Sequence, residues 1–168
     1  MALKQHKDDR VRFEQQVDNS RTYVLPFIAA TKTLGKNIRV LEIGCGEGGV
    51  LLPFAEAGCQ CVGVDLDQKR IDLANNFLED FVTAGNVEFL YKNIYDDDFL
   101  SRFKNYFDII VLKDTIEHIP DQELFIPYLK NLIKRDGQIF FGFPPWYMPF
   151  GGHQQIASKK ITMLPYYH

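Results

Sequence analysis

The stretch VLEIGCGEGG at residues 40–49 places an acid, Glu42, and four glycines directly after an apolar run. Glycine loses more conformational freedom on folding than any other residue, so this cluster indicates that something comes close to the backbone. A second acid, Asp65, ends the next apolar run along the chain. A tight turn without a ligand would need one or two glycines, so the combination favours a ligand site.

Two glycine patterns fit this stretch. Gly44, Gly46 and Gly49, with Asp65 further on, match the G-x-G-x-x-G pattern of dinucleotide-binding proteins. Glu42 with Gly44, Gly46 and Gly48 matches a different pattern, acid-x-G-x-G-x-G. The glycines alone leave both interpretations open.

A second group of reactive side chains lies in KDTIEHIPD, where Asp114, Glu117 and His118 are close in sequence. Two carboxylates and a histidine could remove a proton from an oxygen nucleophile. The same side chains could instead bond backbone groups and fix a turn, and we favour this structural role for Glu117 and His118. His118 is the candidate general base if the segment takes part in catalysis.

The elements that would position these residues alternate along the chain. Helical spacing covers residues 10–33 as one or two helices broken near Pro26, and helices are predicted from Gly48 to Gly58, from an Asp67 N-cap to Gly85, and from Asp121 to about Lys134. Strands are predicted at 38–43, 59–65, 86–93, 107–114 and 137–143. The strands are too apolar for either face of the sheet to be exposed to water. Together with the alternation of strands and helices, this predicts an α/β fold with a doubly wound and mostly parallel sheet.

In such a sheet the glycine stretch leaves the carboxyl end of the first strand and opens a helix. Ligands bind at that edge, where the strand order reverses. We therefore expect free N–H groups at the start of this helix to face the ligand.

Composition excludes several classes of protein. The chain has 168 residues, 46% hydrophobic and 24% charged, which suits one ordered domain. The net charge of -3 argues against a nucleic-acid partner. The three cysteines lack zinc or redox spacing, so we predict reduced thiols, no metal site and a cytoplasmic protein. We predict neither a signal peptide nor a membrane span.

Four ordered segments carry a resemblance: VLEIGCGEGG, GVDLD, FDIIVLKDTIEHIPD and LIKRDGQIFFGFPP. Over roughly residues 36–145 the chain resembles the class I S-adenosylmethionine-dependent methyltransferases, and in particular the branch that includes the quinone-biosynthesis methyltransferases. The resemblance implies a Rossmann-like methyltransferase fold, S-adenosylmethionine as cofactor and methyl transfer to a small-molecule acceptor.

The resemblance also implies roles for single residues near the sugar and methionine of the cofactor. The backbone of residues 44–46 (Gly44, Cys45 and Gly46) would pack against the methionine and ribose. Glu42 would orient the glycine loop and reach the amino end, and Asp65 would accept both ribose hydroxyls. The carbonyl of Lys113 would receive the methionine ammonium.

On the adenine side, the resemblance implies that Leu66 lies against the ring. Relatives often have an aspartate after the third strand that accepts the adenine amino group. This chain has Asn93 there, with Ile94 beside it. An amide oxygen can accept the same hydrogen bond.

The acceptor side is predicted from the segment FPPWYMPFGGH after the fifth strand. Trp146 and neighbouring aromatic residues could roof the methyl group, with His153 and His118 facing the acceptor and Tyr23 closing the chamber from the N-terminal helices. The aromatic segment could alternatively pack on a partner. Some quinone-pathway relatives hold a divalent cation with a set similar to Asp114, Glu117 and His118, but we predict no metal here.

We predict three regions: a helical cap at 1–35, the cofactor-binding core at 36–145, and an aromatic loop with a C-terminal tail at 146–168. The family fold has seven strands and only five are predicted, so the chain is expected to be either a minimal variant or truncated after the fifth strand. The open edge of the fifth strand would then favour a homodimer. Two alternative functions stay open: a nicotinamide-dependent oxidoreductase, and a non-catalytic cofactor-binding or dimerisation module.

Overall fold

A five-stranded parallel sheet forms the centre of the protein, in a computed structural model that describes residues 8–143. The strands are β1 (Arg39–Ile43), β2 (Gln60–Asp65), β3 (Val87–Tyr91), β4 (Phe107–Lys113) and β5 (Ile133–Gly142). Their spatial order is β3-β2-β1-β4-β5, and every neighbouring pair is parallel. The order reverses at β1, so the predicted doubly wound sheet is confirmed.

Helices connect the strands and precede the first of them. They are α1 (Asp9–Asn19), a π-helical turn (Ser20–Val24), α2 (Leu25–Ala29), α3 (Leu52–Glu56), α4 (Gln68–Phe77), α5 (Glu79–Thr83), α6 (Asp97–Phe103), a 3₁₀ turn (Ile116–His118) and α7 (Gln122–Leu129). The predicted Asp67 cap is confirmed, since its side chain accepts a hydrogen bond from the Lys69 N–H. Gly58 and Gly85 end helical segments with positive φ, as predicted.

Several predicted boundaries are wrong. The chain does not break at Pro26, because proline occupies the first turn of α2, where no intrahelical N–H is needed. The irregularity lies just before it, in the π-helical turn. The helix predicted from Asp67 to Gly85 is interrupted at Leu78, which has a non-helical backbone.

The region around β5 also differs from the prediction. Helix α7 ends at Leu129, with Pro127 inside it, and β5 begins at Ile133 rather than Gly137. The predicted Asp136-Gly137 turn is therefore an irregularity within β5, where its register against β4 shifts between Phe107 and Ile109. Helix α6 had not been predicted.

Both faces of the sheet are buried. On one face, α1, α2, α3 and α4 pack with Phe13, Val17, Ile28, Phe54 and Ile71 against Val40, Cys61, Ile109 and Val111. On the other face, α6 and α7 pack with Phe99, Phe103, Phe125 and Leu129 against Leu41, Val62, Ile110 and Leu112. The N-terminal helices therefore share the main core, and this fixes them beside the carboxyl end of β1.

Within residues 8–143, β5 pairs only with β4 and its other edge has no neighbouring strand. No helix in this part of the chain is long and apolar enough to cross a membrane.

Candidate functional site

The loop after β1 has an unusual backbone path. Gly44, Gly46 and Gly48 have φ values of 73°, 53° and 82°, in the left-handed region that favours glycine. The N–H groups of Gly44 and Cys45 both donate to the Val64 carbonyl, at 2.8 and 3.0 Å. The loop is thus tied to the end of β2.

The close approaches at this loop come partly from the protein itself. A Cβ added at Gly44 would lie 2.5 Å from Thr115 Oγ1, and one at Gly48 would lie 2.6 Å from the Phe89 ring. A Cβ at Gly49 would lie 2.5 Å from the Phe13 carbonyl oxygen in α1. Three of the four glycines therefore have a packing reason that does not require a ligand.

The expectation that this loop opens directly into a helix with free N–H groups is wrong. Helix α3 begins at Leu52, several residues later. The Gly46 N–H donates to Asp65 Oδ2 at 2.8 Å, so it too is used within the protein. The N–H groups of the four glycines and of Cys45 are therefore all used within the protein.

Asp65 holds the loop and the start of the next helix together. Its Oδ1 accepts a hydrogen bond from the Asp67 N–H at 3.0 Å, and its Oδ2 accepts the one from Gly46. The side chain is partly exposed. Each carboxylate oxygen can accept a further bond, so the group can still bind a diol.

Glu42, near the end of β1, is a buried carboxyl group at this site. The residue is 1% exposed, and among the described residues its Oε2 has no hydrogen-bond partner. Burial raises the pKa of this carboxyl group well above its usual value, and nearby Asp65 raises the pKa further, whereas Lys113 opposes the shift. A cation or a hydrogen-bond donor brought next to Oε2 would reverse this penalty.

Glu42 faces a cavity of about 340 Å³, which we call the first cavity. It lies between α1, the glycine loop and the end of β4. Its lining residues are Arg12, Gln15, Gln16, Asn19, Glu42, Gly44, Gly46, Val50, Arg70, Lys113 and Asp114. The cavity thus joins the predicted Glu42, Gly44, Gly46 and Lys113 with residues of α1.

The second cavity, of about 430 Å³, is adjacent to the first and is more apolar. Its lining residues are Asn19, Tyr23, Val24, Lys113, Asp114, Phe140, Gly142 and Phe143. Asn19, Lys113 and Asp114 line both cavities. Tyr23 therefore lines the second cavity from the N-terminal region.

Helix α1 is attached to the glycine loop by side chains that the sequence analysis missed. Buried Glu47 accepts hydrogen bonds from Arg12 Nε at 3.0 Å and from Gln16 Nε2 at 3.1 Å. Gln16 Oε1 accepts one from the Gly49 N–H at 3.0 Å. Arg12, Gln16 and Ser20 follow one another at intervals of four residues. This spacing places them on one face of a helix and could have indicated the contact from the sequence.

Ser20 completes this attachment in the π-helical turn. It is fully buried, and its hydroxyl donates to the Val50 carbonyl at 2.8 Å. The wall that α1 gives the first cavity is therefore held at three successive turns.

The adenine-side residues lie along the edge formed by β2 and β3. Leu66 is 69% exposed, as a surface for ring packing requires. Asn93 Oδ1 already accepts a hydrogen bond from the Tyr95 N–H at 3.1 Å. Ile94 is 6% exposed and belongs to the core, while its carbonyl accepts a hydrogen bond from the Tyr128 hydroxyl.

The segment after β4 is a compact turn. Asp114 has a positive φ of 53° and pairs with the Lys113 ammonium. Thr115 Oγ1 donates to the Lys113 carbonyl at 3.1 Å, so this carbonyl keeps one acceptor position for a ligand. His118 is exposed, and the linings of the two cavities do not include it.

Residues 8–143 contain no group of three or more histidine, cysteine or acidic residues arranged to hold a metal ion. Trp146 and His153 lie outside the described residues. Burial raises the pKa of the Cys45 thiol well above its usual value, and this side chain belongs to the core.

A family model described as a methyltransferase domain matches residues 15–150. This chain belongs to that family. More narrowly, it is a member of the class I S-adenosylmethionine-dependent methyltransferase family, related to the quinone-biosynthesis branch. The methyltransferase assignment replaces the dinucleotide interpretation of the glycine pattern.

The relatives support the same assignment. The methyltransferase domain is 33% identical over 117 residues to a ubiquinone biosynthesis O-methyltransferase of Coxiella burnetii, covering 70% of this chain and 47% of the relative. It is 32% identical over 103 residues to the protein of the same name from Aromatoleum aromaticum, covering 61% and 42%. The chain spans about half the length of these curated relatives.

Solved structures share the fold. The YcgJ protein from Bacillus subtilis superposes with a TM-score of 0.59 at 26% identity, covering 70% of this chain and 48% of that one. Magnesium protoporphyrin IX methyltransferase from Synechocystis, solved with bound S-adenosylmethionine, gives a TM-score of 0.59 at 24% identity, covering 82% and 62%.

Proposed function

We propose that this chain binds S-adenosylmethionine with its methionine end in the first cavity, and transfers the methyl group to a small-molecule acceptor in the second. The observation that carries the proposal is the buried Glu42 carboxylate, whose Oε2 has no partner among the described residues and which lines the first cavity. An aliphatic ammonium is a suitable partner for it.

The polar groups suit the two ends of the ligand. Glu42 and the carbonyl of Lys113 are acceptors for the methionine ammonium. Asp65 accepts a hydrogen bond from the Gly46 N–H, and its carboxylate oxygens can still accept hydrogen bonds from the ribose hydroxyls. The backbone of residues 44–46 forms the floor between them.

Leu66 offers an exposed apolar surface to the adenine ring. Asn93 contributes through its amide, and since its Oδ1 already accepts the Tyr95 N–H, its contact with the base is weaker than that of an aspartate. Ile94 contributes through its backbone, because its side chain is in the core.

The second cavity suits an acceptor that is partly aromatic or apolar. Tyr23, Phe140 and Phe143 line it and would exclude water from the reacting atoms. When bound, S-adenosylmethionine supplies an already activated methyl group, so alignment matters more than a strong base. His118 as base, with Trp146 and His153 facing the acceptor, stays a prediction, and the relatives' names favour an oxygen nucleophile.

The first experiment measures affinity by calorimetry for S-adenosylmethionine, S-adenosylhomocysteine and NAD. We expect micromolar binding of the first two and none of NAD. NAD binding without S-adenosylhomocysteine binding would overturn the proposal.

A mutant cycle tests the ribose contact. Asp65→Ala should weaken S-adenosylhomocysteine at least about tenfold, because two hydrogen bonds of about 1 kcal/mol each are lost. Wild type should bind 2′,3′-dideoxyadenosine, which lacks the diol, more weakly than adenosine by the same factor. The Asp65→Ala variant should bind the two nucleosides with equal affinity. Asp67→Ala, an exposed acid in the same segment, is the control and should keep the dependence on the diol.

Turnover with candidate phenols separates an enzyme from a binding module. Light scattering tests the predicted homodimer, for which the free edge of β5 is the proposed surface. The cytoplasmic location stays a prediction.

A further inference from the structure

Asn19 lies where the two cavities meet and presents an unsatisfied hydrogen-bond acceptor there. Three residues line both cavities: Asn19, Lys113 and Asp114. The side chains of Lys113 and Asp114 pair with each other. Asn19 Oδ1, in contrast, is buried and has no hydrogen-bond partner among residues 8–143.

The backbone holds Asn19 firmly in this place. It is the last residue of α1 and is followed by the π-helical turn, a feature that often occurs at functional sites. The neighbouring Ser20 hydroxyl donates to the Val50 carbonyl at 2.8 Å, and the Ser20 N–H reaches the carbonyls of Gln16 and Val17. These hydrogen bonds of Ser20 fix the backbone that directly follows Asn19.

A buried carbonyl oxygen without a donor is unfavourable, so it favours a ligand that brings one. Two such acceptors line the first cavity, Glu42 Oε2 and Asn19 Oδ1. Glu42 lines only the first of the two cavities, and it is a suitable partner for the methionine ammonium. Asn19 also borders the second cavity, so its donor comes from the side of the acceptor.

We propose that Asn19 positions the methyl acceptor by accepting a hydrogen bond from the O–H or N–H of its nucleophile, beside the methyl group. This inference rests on the proposed function and narrows the acceptors to hydroxyl or amine nucleophiles, as opposed to carbon nucleophiles. Asn19 is a neutral amide, so it aligns the acceptor and does not take its proton.

The test uses two cofactor analogues and needs no knowledge of the acceptor. Sinefungin carries an amine-bearing carbon where the cofactor has its methylated sulfur, whereas S-adenosylhomocysteine carries a plain sulfur there. The ratio of their affinities measures the acceptor groups at the site of methyl transfer. Asn19→Ala should reduce the preference for sinefungin by about 10- to 150-fold, the range expected for the loss of one hydrogen bond to a charged amine. Asn19→Asp, which keeps an acceptor, should retain or increase the preference.

Gln15→Ala is the control, because Gln15 lines only the first cavity and should leave the ratio unchanged. Since both ligands are measured on the same variant, a general loss of folding cancels from the ratio, and thermal unfolding checks it independently. If wild type binds S-adenosylhomocysteine and Asn19→Ala leaves the ratio unchanged, Asn19 has no such role. An equal fall in Gln15→Ala would also overturn the inference. Failure of wild type to bind S-adenosylhomocysteine would instead refute the proposed function.

Discussion

Replacing Glu42 by glutamine should make the ligand-free protein more stable at neutral pH while weakening its binding of the cofactor. The carboxyl group is buried, and its pKa is raised well above the usual value of 4.5. Above about pH 4.5 the unfolded chain releases this proton more easily than the folded protein does. The folded state therefore binds more protons, and its stability falls as the pH rises from 4.5 towards the folded-state pKa.

The size of the effect follows from the same linkage. Each unit by which folding raises the pKa of Glu42 lowers the free energy of unfolding by about 1.4 kcal/mol, at a pH above both the folded-state and the unfolded-state pKa. Glutamine cannot ionise, so Glu42→Gln removes this cost and its pH dependence. Urea unfolding of both proteins from pH 4.5 to pH 8 should show a difference in stability that is small at pH 4.5 and grows with pH.

The same substitution should act in the opposite direction on binding. A hydrogen bond to a charged group contributes about 1.5–3 kcal/mol, so loss of the carboxylate should weaken S-adenosylhomocysteine by about 10- to 150-fold. Binding of an ammonium also favours the ionised carboxylate, so wild-type affinity should rise with pH over the same window. The glutamine variant should lack that rise.

Glu47→Gln is the matched control, since Glu47 is equally buried at 1% exposure but is paired with Arg12 and Gln16. Glutamine would remove the charged partner of Arg12 at this position, although Arg12 keeps its pair with Asp9, so this variant should be less stable than wild type at pH 7. If Glu42→Gln is also destabilised at pH 7 and binds S-adenosylhomocysteine normally, Glu42 is a structural acid and the reasoning fails.

Three further substitutions test the packing around the site by urea unfolding. Gly49→Ala should cost about 1–3 kcal/mol, because its Cβ would lie 2.5 Å from the Phe13 carbonyl oxygen; wild-type stability would mean that α1 does not pack there. Ser20→Ala should cost about 1–3 kcal/mol, since the buried Val50 carbonyl loses its donor, whereas an unchanged midpoint would indicate that another donor replaces the hydroxyl. Tyr128→Phe should cost about 1 kcal/mol through the hydrogen bond to the Ile94 carbonyl, and no loss would argue against that bond.

The positions of most strands and their parallel arrangement could be predicted because each buried strand of a parallel sheet is a nearly continuous apolar run. The run from Phe107 to Leu112 is an example, and its residues pack on both faces of the sheet. Two local capping signals were also correct, whereas Asp121, which was expected to cap α7, makes no side-chain capping hydrogen bond there. Asp67 caps α4, and Gly85 ends the following helical segment.

Helix α6 could not be found in the same way. It is a single short helix, Asp97–Phe103, that begins with acidic residues and has only two buried side chains, Phe99 and Phe103. Such a length gives too few apolar positions for a period to be recognised. The early start of β5 was missed for a related reason, since Asp136-Gly137 is typical of a turn and here interrupts a strand.

The place of the glycine loop and of Asp65 at the strand ends was predicted correctly, but the physical reason for the glycines was only partly right. Local sequence does not reveal that Phe13, Phe89 and Thr115 approach these glycines, because those residues come from distant parts of the chain. The same holds for Arg12 and Gln16, whose contacts with the loop depend on how α1 packs. Long-range contacts of this kind become visible only once the fold is known.

The two acids of the glycine motif show what this difference means for function. Glu42 and Glu47 are equally buried, and nothing in their local sequence separates them. Glu47 is satisfied by α1 and thereby fixes the wall of the first cavity. Glu42, which lines that same cavity, has a raised pKa and one oxygen without a hydrogen-bond partner in the described part of the chain. This unfavourable burial is the reason why we propose that a cationic ligand lies beside Glu42 and compensates it.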